Sequence, residues 1–386
     1  MSADSPTVDL ARRLVQAPSP STRERPAVDV LIAAFEAHGF DRAWIDEAGN
    51  AVGVIERGDG PTVMLNGHVD TVPLGDEAAW PHPPLSGDVV DGRLWGRGAS
   101  DMKSSLACMT VAAAQAAERG FRGTLYVTGV VQEEIGGLGA RHLGATIPVD
   151  AVVLGEPSKL QFKLGHRGRI EVDVHLPGRI AHAAKPELGE NALLRAARFL
   201  QALDAAHLPA GGPLGASTAT PTSLVSHPEG GRNVVPGEAV VTIDYRNLPD
   251  DPPEDVLARL QALDPDATLV VGDAERASES GEVRTTIPGV NPAYLAPGEN
   301  AYVTRAREVL RRELPARGVA YAEGTWWFAT DAPHLAQRGA VVLGFGPGEE
   351  EVAHTTRESV SVEHLEIATE VYRELALALL AGEPGA

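Results

Sequence analysis

The chain of 386 residues is 43% apolar and 22% charged, which is ordinary for a globular protein and long enough to predict two domains. Its net charge of −20 argues against a nucleic-acid-binding groove and against binding to anionic membrane surfaces. The single cysteine, Cys108, excludes an internal disulfide framework, and we expect a cytoplasmic protein because residues 1–13 hold no signal-peptide core and no apolar run reaches transmembrane length.

The first part of the chain alternates amphipathic helices with short apolar runs. The predicted elements are helices at Thr7–Gln16, Pro26–His38 and Lys103–Arg119, strands at Ala43–Ile45, Ala51–Glu56, Thr62–Leu65, Leu125–Val131 and Ala151–Leu154, and a short hairpin near Val89–Leu94. Continuous apolar runs of this length are typical of strands buried on both faces. Strands that alternate with helices predict an α/β fold with a mostly parallel central sheet flanked by helices.

The sequence pattern changes at about Gly165. Residues Arg169–Leu176 alternate strictly between polar and apolar, which predicts a half-buried strand of an antiparallel sheet. The further elements predicted here are helices at Asn191–Ala205 and Pro253–Leu263 and strands at Thr222–Ser226, Ala239–Tyr245 and Ala267–Val271. The first pattern resumes with a helix at Ala301–Leu314 and a strand at Val341–Phe345. We therefore expect a discontinuous domain, residues 1–165 and 285–386, interrupted by an inserted α+β domain, residues 166–284.

Side chains that can bind metal ions follow three of the apolar runs. His68 comes after the run at Thr62–Leu65, the Glu133-Glu134 pair after Leu125–Val131, and Glu156 after Ala151–Leu154. The carboxyl ends of parallel strands meet at one edge of a sheet, so these residues are expected to share one site. Asp101 and His354 complete the set of candidate ligands.

This set matches the requirements of a hydrolytic dinuclear zinc site. Such a site needs neutral imidazoles and carboxylates as ligands, one group that bridges both ions, and a carboxylate held off the metal as a base. Two Zn²⁺ ions, three ligand carboxylates and one hydroxide would sum to zero charge, and a neutral site is cheap to bury. Asp70, two residues after His68, is placed to accept a hydrogen bond from the second imidazole nitrogen.

Taken singly, each residue has an ordinary alternative. Asp101 could be the N-cap of the helix that follows it. Glu156 could be a turn residue before Pro157, and the Glu133-Glu134 pair could belong to a solvated face. The hypothesis of a metal site rests on their joint occurrence, in order and largely at strand ends.

Five motifs together resemble one known family. The motifs are Gly67–Pro73, Gly96–Lys103, Glu133–Gly136, Gly155–Ser158, and Gly346–Gly348 ahead of His354-Thr355. In this order they resemble the dinuclear zinc hydrolases typified by acetylornithine deacetylase, succinyl-diaminopimelate desuccinylase, aminoacylase and carboxypeptidase G. The resemblance runs over nearly the whole chain.

The resemblance implies roles for the site residues. It implies that His68 and Glu156 bind one metal ion and that Glu134 and His354 bind the other. It also implies that Asp101 bridges the two ions, that Glu133 is the general base and that Asp70 orients His68. Residues 1–165 and 285–386 would then be the catalytic, metal-binding domain, and we expect two zinc ions per chain, with cobalt or manganese as alternatives.

The resemblance extends to the inserted domain, which in this family is a lid that commonly makes a homodimer. In the segment Arg179–Ala184, His182 would hydrogen-bond the carbonyl oxygen of the substrate, in its own chain's site or in its partner's. Asn233 and Arg246 resemble the pair that holds the substrate's carboxylate and backbone. Arg246 has the alternative of pairing only with a nearby aspartate, Asp244 or Asp250.

One loop departs from the family's pattern. The resemblance implies that Thr330 lies in the loop that faces the substrate carboxylate, and the family usually has a glycine pair before it. Here Phe328-Ala329 precede Thr330. The metal ligands are not affected, but the substrate pocket is expected to differ in shape.

The sequence thus predicts a metal-dependent amidohydrolase that cleaves an N-acyl amino acid by a metal-activated water, with Glu133 as the general base. A dipeptidase or carboxypeptidase of the same family is the first alternative. A catalytically silent binding or assembly protein on the same scaffold is the second. The expected partners are a small N-acyl amino acid or short peptide and a second copy of the chain, with no nucleic acid and no membrane.

Overall fold

The computed structural model describes residues 5–381, so residues 1–4 and 382–386, at the two ends of the predicted catalytic domain, lie outside the described residues. The helices are α1 (Pro6–Gln16), α2 (Arg25–Ala37), α3 (Lys103–Arg119), α4 (Leu138–Thr146), α5 (Ala192–Asp204), α6 (Pro253–Leu263), α7 (Ala301–Ala316), α8 (Ala332–Leu335) and α9 (Val362–Leu380), with short 3-10 turns at Glu77–Ala79, Glu133–Ile135, Pro186–Leu188 and Ala336–Arg338. None of the helices within residues 5–381 combines the length and the apolar character that a membrane crossing requires.

Within the described part of the chain, a mixed sheet of nine strands forms the centre of the protein. Numbered along the chain, its strands are β1 (Arg42–Ile45), β2 (Ala51–Arg57), β3 (Thr62–His68), β6 (Gly123–Val130), β7 (Ala151–Leu154), β8 (Phe162–His166), β18 (Tyr294–Leu295), β19 (Glu323–Trp326) and β20 (Val341–Gly344). Their order is β1-β2-β6-β3-β7-β20-β8-β18, and β19 also pairs with β8. The central strands β6, β3, β7 and β20 run parallel. The predicted mostly parallel central sheet is confirmed.

Neighbouring side chains of the central strands enter two different cores. In β3, Val63 and Leu65 pack into the core formed with α1, α3 and α9, whereas Met64 packs into the core formed with α4 and α8. Successive side chains of a strand point to opposite faces of the sheet, so a sheet covered on both faces needs apolar residues at every position. Each buried side chain of this size contributes about 1.5–3 kcal/mol. Helices on both faces therefore explain the continuous apolar runs of the sequence.

A second, antiparallel sheet with its own core lies in the middle of the chain. Its strands are β9 (Arg169–Pro177), β11 (Thr218–His227), β13 (Glu238–Arg246), β14 (Thr268–Val271) and β17 (Val290–Asn291). In β9, Ile170, Val172 and Val174 are buried against α5 and α6, whereas the residues between them face outward. The strict alternation predicted for a half-buried antiparallel strand is confirmed.

Three smaller sheets complete the structure. They are β4 (Val89–Val90), β5 (Arg93–Trp95) and β21 (Ser359–Ser361), then β10 (Ala181–His182) with β12 (Val234–Val235), and the hairpin of β15 (Asp273–Ala277) and β16 (Arg284–Pro288). The sequence reasoning did not predict β8, the β15–β16 hairpin or α9. The hairpin strands are mostly polar and carry no apolar run, so the sequence gives little indication of them. Helix α9 differs, because Leu365, Val371 and Leu375 are buried at helical spacing, and this pattern in the sequence does predict a helix.

Candidate metal centre

The register of the central sheet brings the predicted ligands to one edge. His68, the last residue of β3, lies opposite Val130, the last residue of β6. Leu154, the last residue of β7, lies opposite Asn66 of β3. The residues that directly follow β6 and β7 therefore lie at the same edge of the sheet as His68. Their positions along the strands differ from that of His68 by no more than about two residues, as expected for parallel strands.

The five predicted metal ligands form two groups that share one carboxylate. In the first group, His68 Nε2 lies 3.0 Å from Asp101 Oδ1 and 4.0 Å from Glu156 Oε2. In the second, His354 Nε2 lies 3.2 Å from Asp101 Oδ2 and 3.1 Å from Glu134 Oε2. Within each group the candidate ligand atoms all lie within 4.8 Å of one another. Asp101 thus directs one carboxylate oxygen to each group, which is the disposition of a bridging ligand.

The surroundings of these groups fit divalent cations. Burial, together with repulsion from Asp101, raises the pKa of Glu156 well above its usual range. Glu156 Oε1 is buried and has no hydrogen-bond partner among residues 5–381. Two ligand atoms bound to zinc at a tetrahedral angle lie about 3.3 Å apart, close to three of the four distances given above. A donor set of imidazole nitrogens and carboxylate oxygens suits zinc, cobalt or manganese.

The backbone oxygen of Asp70, and not its carboxylate, contacts His68. The His68 Nδ1–H donates to the Asp70 carbonyl oxygen at 2.9 Å, while the nearest carboxylate oxygen of Asp70 is 3.6 Å away. Asp70 thus accepts the hydrogen bond of the second imidazole nitrogen through its backbone and not through its side chain. The carbonyl oxygen can only accept, so the proton is held on Nδ1 and the Nε2 lone pair faces Asp101 and the metal group.

The Asp70 carboxylate instead holds the loop that carries the glutamate pair. It accepts the backbone N–H groups of Glu133 at 3.0 Å and of Glu134 at 3.2 Å, and the hydroxyl of Ser21 at 2.7 Å. The chain leaves β3 after His68, so strand alternation no longer directs this side chain to the face of the imidazole. Asp70 therefore positions the backbone of both glutamates.

Glu133 lines a cleft of about 590 Å³. Within residues 5–381, no hydrogen bond to its carboxylate is found, and its backbone is fixed by Asp70. Burial and repulsion from Glu156 raise the pKa of Glu133 well above its usual range. A carboxylate that has no hydrogen-bond partner, on a backbone that is held in place, is available to accept a proton, as a general base must be.

A buried ion pair behind Asp101 was not predicted from the sequence. Glu358 accepts the backbone N–H groups of Ser100 and Asp101, each at 3.1 Å, and pairs with Arg97 at 2.5 Å. Asp101 has its two carboxylate oxygens on the histidines and does not cap α3, whose N-cap residue is Met102. Glu358 is remote along the chain and belongs to no motif, so only its position in the fold reveals that it supports the shared ligand.

Replacing Arg97 with methionine is expected to lower the free energy of unfolding by about 3–5 kcal/mol, because it leaves the Glu358 carboxylate buried and unpaired. The exposed pair of Arg42 and Glu56 offers a matched control, and its Arg42→Met variant should lose no more than about 1 kcal/mol. Guanidinium denaturation of the three proteins measures the difference. Equal stability of the two variants would show that the buried pair does not support the site.

Two of the predicted substrate-binding residues of the inserted domain lie on the surface, outside the lining of the cleft. His182 is exposed, and its Nδ1 accepts the backbone N–H of Ala184 at 3.0 Å. Asn233 is exposed as well, and its backbone carbonyl oxygen accepts the backbone N–H of Ala183 at 2.9 Å. A single chain therefore does not bring these two side chains to the glutamate pair.

The other two predicted substrate-binding residues, Arg246 and Thr330, are not exposed. Arg246 lines the cleft, but its guanidinium donates to both carboxylate oxygens of Asp244, at 2.6 and 3.2 Å, as the alternative interpretation expected. Thr330 is buried, and its N–H donates to Nε2 of the buried His166 at 3.3 Å. Ala329, which stands where the family usually has a glycine, lines the cleft.

Comparison with known proteins gives a consistent result. A model of the family described as peptidase family M20/M25/M40 matches residues 64–378. The chain is 31% identical over 385 residues to a protein of Escherichia coli K12 that bears the name "Uncharacterized protein YgeY", and the match covers 96% of this chain and 94% of that protein.

Solved structures share the fold. Aminopeptidase PepT from Bacillus cereus matches with a TM-score of 0.75 at 20% identity, over 97% of both chains. The YXEP protein of Bacillus subtilis, described as a dinuclear metal-binding peptidase from the M20 family, matches with a TM-score of 0.71 at 15% identity, over 98% of both chains.

Proposed function

The chain belongs to peptidase family M20/M25/M40 and is a metal-dependent hydrolase, and on that premise we propose that it cleaves the amide bond of an N-acyl amino acid. The family is one of dinuclear metallopeptidases. One observation carries the proposal: two groups of candidate ligands share Asp101, and Glu134 of the second group lines a cleft together with its neighbour Glu133. We also propose that residues 166–284 act as the lid over residues 1–165 and 285–386.

The residues suit one sequence of proton transfers. His68, Asp101 and Glu156 would hold one cation, and Asp101, Glu134 and His354 the other. Bound divalent cations supply Lewis acidity, which lowers the pKa of a water molecule and polarises the amide carbonyl. Glu133 takes the proton of the attacking water and then delivers it to the departing amine. His182 would donate a hydrogen bond to the carbonyl oxygen as negative charge develops there.

The metal and the exact substrate are tested together. We propose zinc in both groups, with cobalt or manganese as alternatives, because imidazole and carboxylate ligands accept all three. Elemental analysis of the purified protein, beside amine release from N-acetyl and N-succinyl amino acids and from dipeptides, is the deciding experiment. Two metal ions per chain and faster release from acyl amino acids than from dipeptides are the expected result.

Cleavage of dipeptides is the second candidate function, because the same base and ligands serve any amide bond beside a free carboxylate. Faster release from dipeptides would favour a dipeptidase or carboxypeptidase. A protein that binds two metal ions and hydrolyses none of these compounds would favour the catalytically silent alternative. No ligand or base of that machinery is missing from this chain, which supports an active enzyme.

The surface near His182 supports the proposed homodimer. Ile180 and Leu188 are each 62% exposed, and Leu194 in the first turn of α5 is 59% exposed, so three large apolar side chains of the segment 180–194 are open to water. Apolar surface of this kind is typical of protein–protein contacts. A second copy of the chain would cover it and would bring His182 to the partner's cleft.

Replacing Leu194 with aspartate is therefore expected to convert a dimer to a monomer, because a charge would be buried at the contact. The monomer should keep its metal ions and lose about 10²–10³-fold in kcat, the usual loss for one donor to a developing oxyanion. Sedimentation velocity gives the mass. The matched control is Val270→Asp, at a residue that is 42% exposed on β14 and should stay dimeric. A dimeric Leu194→Asp protein would contradict the proposed contact.

A further inference from the structure

The cleft beside the glutamate pair is rich in arginine. Its walls come from the loop Glu133–Gly136, the start of β9, the end of β13 and the β15–β16 hairpin. The four arginines that line it are Arg141, Arg169, Arg246 and Arg276. This exceeds what one substrate carboxylate requires.

Two of these arginines are already neutralised by carboxylates. Arg169 and Arg246 both pair with Asp244, at 2.7 and 2.6 Å, and Arg169 also pairs with Glu171 at 2.7 Å. Hydrogen bonds from Arg246 and Arg169 lower the pKa of Asp244 despite its partial burial, so it stays ionised. This cluster is internally balanced.

Arg141 and Arg276 differ from these two. Within residues 5–381, neither guanidinium forms an ion pair with a carboxylate at an N···O distance of 4.0 Å or less. Each donates its Nε–H to a backbone carbonyl oxygen, Arg141 to Gly136 and Arg276 to Ile135, both at 3.1 Å. Arg276 also donates from Nη1 to the carbonyl oxygen of Glu275 at 3.3 Å, which leaves its Nη2 without a protein partner within residues 5–381. A carbonyl oxygen orients a guanidinium but does not cancel its charge. Asp273 lines the same cleft and pairs with neither of them.

The two carbonyl oxygens belong to consecutive residues directly after the glutamate pair, so both guanidinium groups are anchored on the loop that carries Glu133. The β15–β16 hairpin is held to this loop a second time, because the Gln132 side-chain amide donates to the Ala277 carbonyl oxygen at 2.7 Å. Both arginines are half-buried. Their outer N–H groups are thus held in place beside the reacting centre, as preorganised anion sites require.

We propose that Arg141 and Arg276 form a second anion subsite, which binds a carboxylate of the substrate other than the one beside the scissile amide. The substrate is then an acyl amino acid with an additional carboxylate, carried by a dicarboxylic acyl group or by an acidic side chain. This proposal rests on the proposed function. Arginine is suited to the task because its planar fork can form two parallel hydrogen bonds with a carboxylate.

The test compares three substrates and four proteins. N-succinyl-alanine carries the additional carboxylate on the acyl group, N-acetyl-glutamate carries it on the side chain, and N-acetyl-alanine lacks it. The proteins are the metal-loaded wild type and its Arg141→Gln, Arg276→Gln and Arg122→Gln variants. Arg122 is an exposed arginine just before β6, roughly 25 Å from the site by strand length, so its variant controls for the loss of one charge.

We expect the wild type to prefer one of the two dicarboxylic substrates, and the identity of that substrate shows where the additional carboxylate lies. Arg141→Gln and Arg276→Gln should each lose about tenfold or more in kcat/KM toward it, since truncating one partner of a hydrogen-bonded charge pair has effects of this size. They should change less than about threefold toward N-acetyl-alanine, as should Arg122→Gln toward all three substrates. Equal losses toward all three substrates would show that the two arginines only support the loop, and would overturn the proposal.

A binding measurement separates this proposal from the proposed function. Calorimetric titration with glutarate should give a dissociation constant about tenfold weaker in Arg141→Gln and Arg276→Gln than in the wild type and in Arg122→Gln at equal metal content. If the wild type hydrolyses no acyl amino acid, the proposed function fails, and the glutarate result still decides the subsite. Unchanged glutarate binding in both variants would overturn the subsite.

Discussion

Replacing Glu133 with alanine is expected to lower kcat by about 10²–10⁴-fold, the usual contribution of a general base, while the protein still binds two metal ions per chain. Glu133 belongs to neither group of candidate ligands, and its carboxylate is free of hydrogen bonds within residues 5–381. Its removal should therefore leave metal binding intact and take away only the group that accepts the proton of the attacking water.

Steady-state kinetics with the best substrate, and elemental analysis of the same sample, measure the two effects separately. Glu118→Ala is the matched control, because Glu118 is exposed near the end of α3 and has no ion pair in the described part of the chain. Hydrolysis at the wild-type rate by Glu133→Ala would remove the assignment of the base. Loss of metal from this variant would show that Glu133 is a ligand.

The shared carboxylate predicts unequal losses of metal from two variants. Asp101→Ala should bind neither ion tightly, because Asp101 contributes an oxygen to both groups. His354→Ala should lose one ion and keep the other, because His354 belongs only to the second group. In both variants activity should fall by more than about 100-fold, since even residues that only orient metal ligands account for 10- to 100-fold effects.

Elemental analysis after dialysis against a fixed low concentration of zinc gives the number of ions in each variant. His207→Ala is the control, because His207 is exposed in the inserted domain and should keep both ions. Retention of one ion by Asp101→Ala would contradict the bridging position of Asp101, whether His354→Ala loses one ion or both.

The edge of the sheet at which the site lies was predictable because it depends on local patterns. The buried strand before His68 and the one before Glu156 are continuous apolar runs, and parallel strands bring their carboxyl ends together wherever they pair. Helix α3 was predicted with its observed bounds, Lys103–Arg119, because its small apolar residues and flanking glycine are also local signals.

Residues that act through partners remote along the chain were not predictable in the same way. Glu358 supports the backbone of Asp101 from 257 residues away, and nothing in its immediate neighbours marks it. The sequence placed Asp70 beside the second nitrogen of His68, but which of its oxygens makes that contact, and what its carboxylate binds instead, depends on how the chain turns after β3. Such contacts depend on the tertiary fold.

The sequence by itself determined the fold class, the strand ends at which the site lies and the types of side chain that can bind metal ions there, because periodicity and composition act between near neighbours. Only the tertiary structure decided that Asp101 divides its two oxygens between the ligand groups and that Arg246 is paired with Asp244. It alone also shows that Arg141 and Arg276 form no ion pair with a carboxylate among residues 5–381. Charge compensation depends on distances in space between groups far apart in the chain, and a linear pattern does not contain those distances.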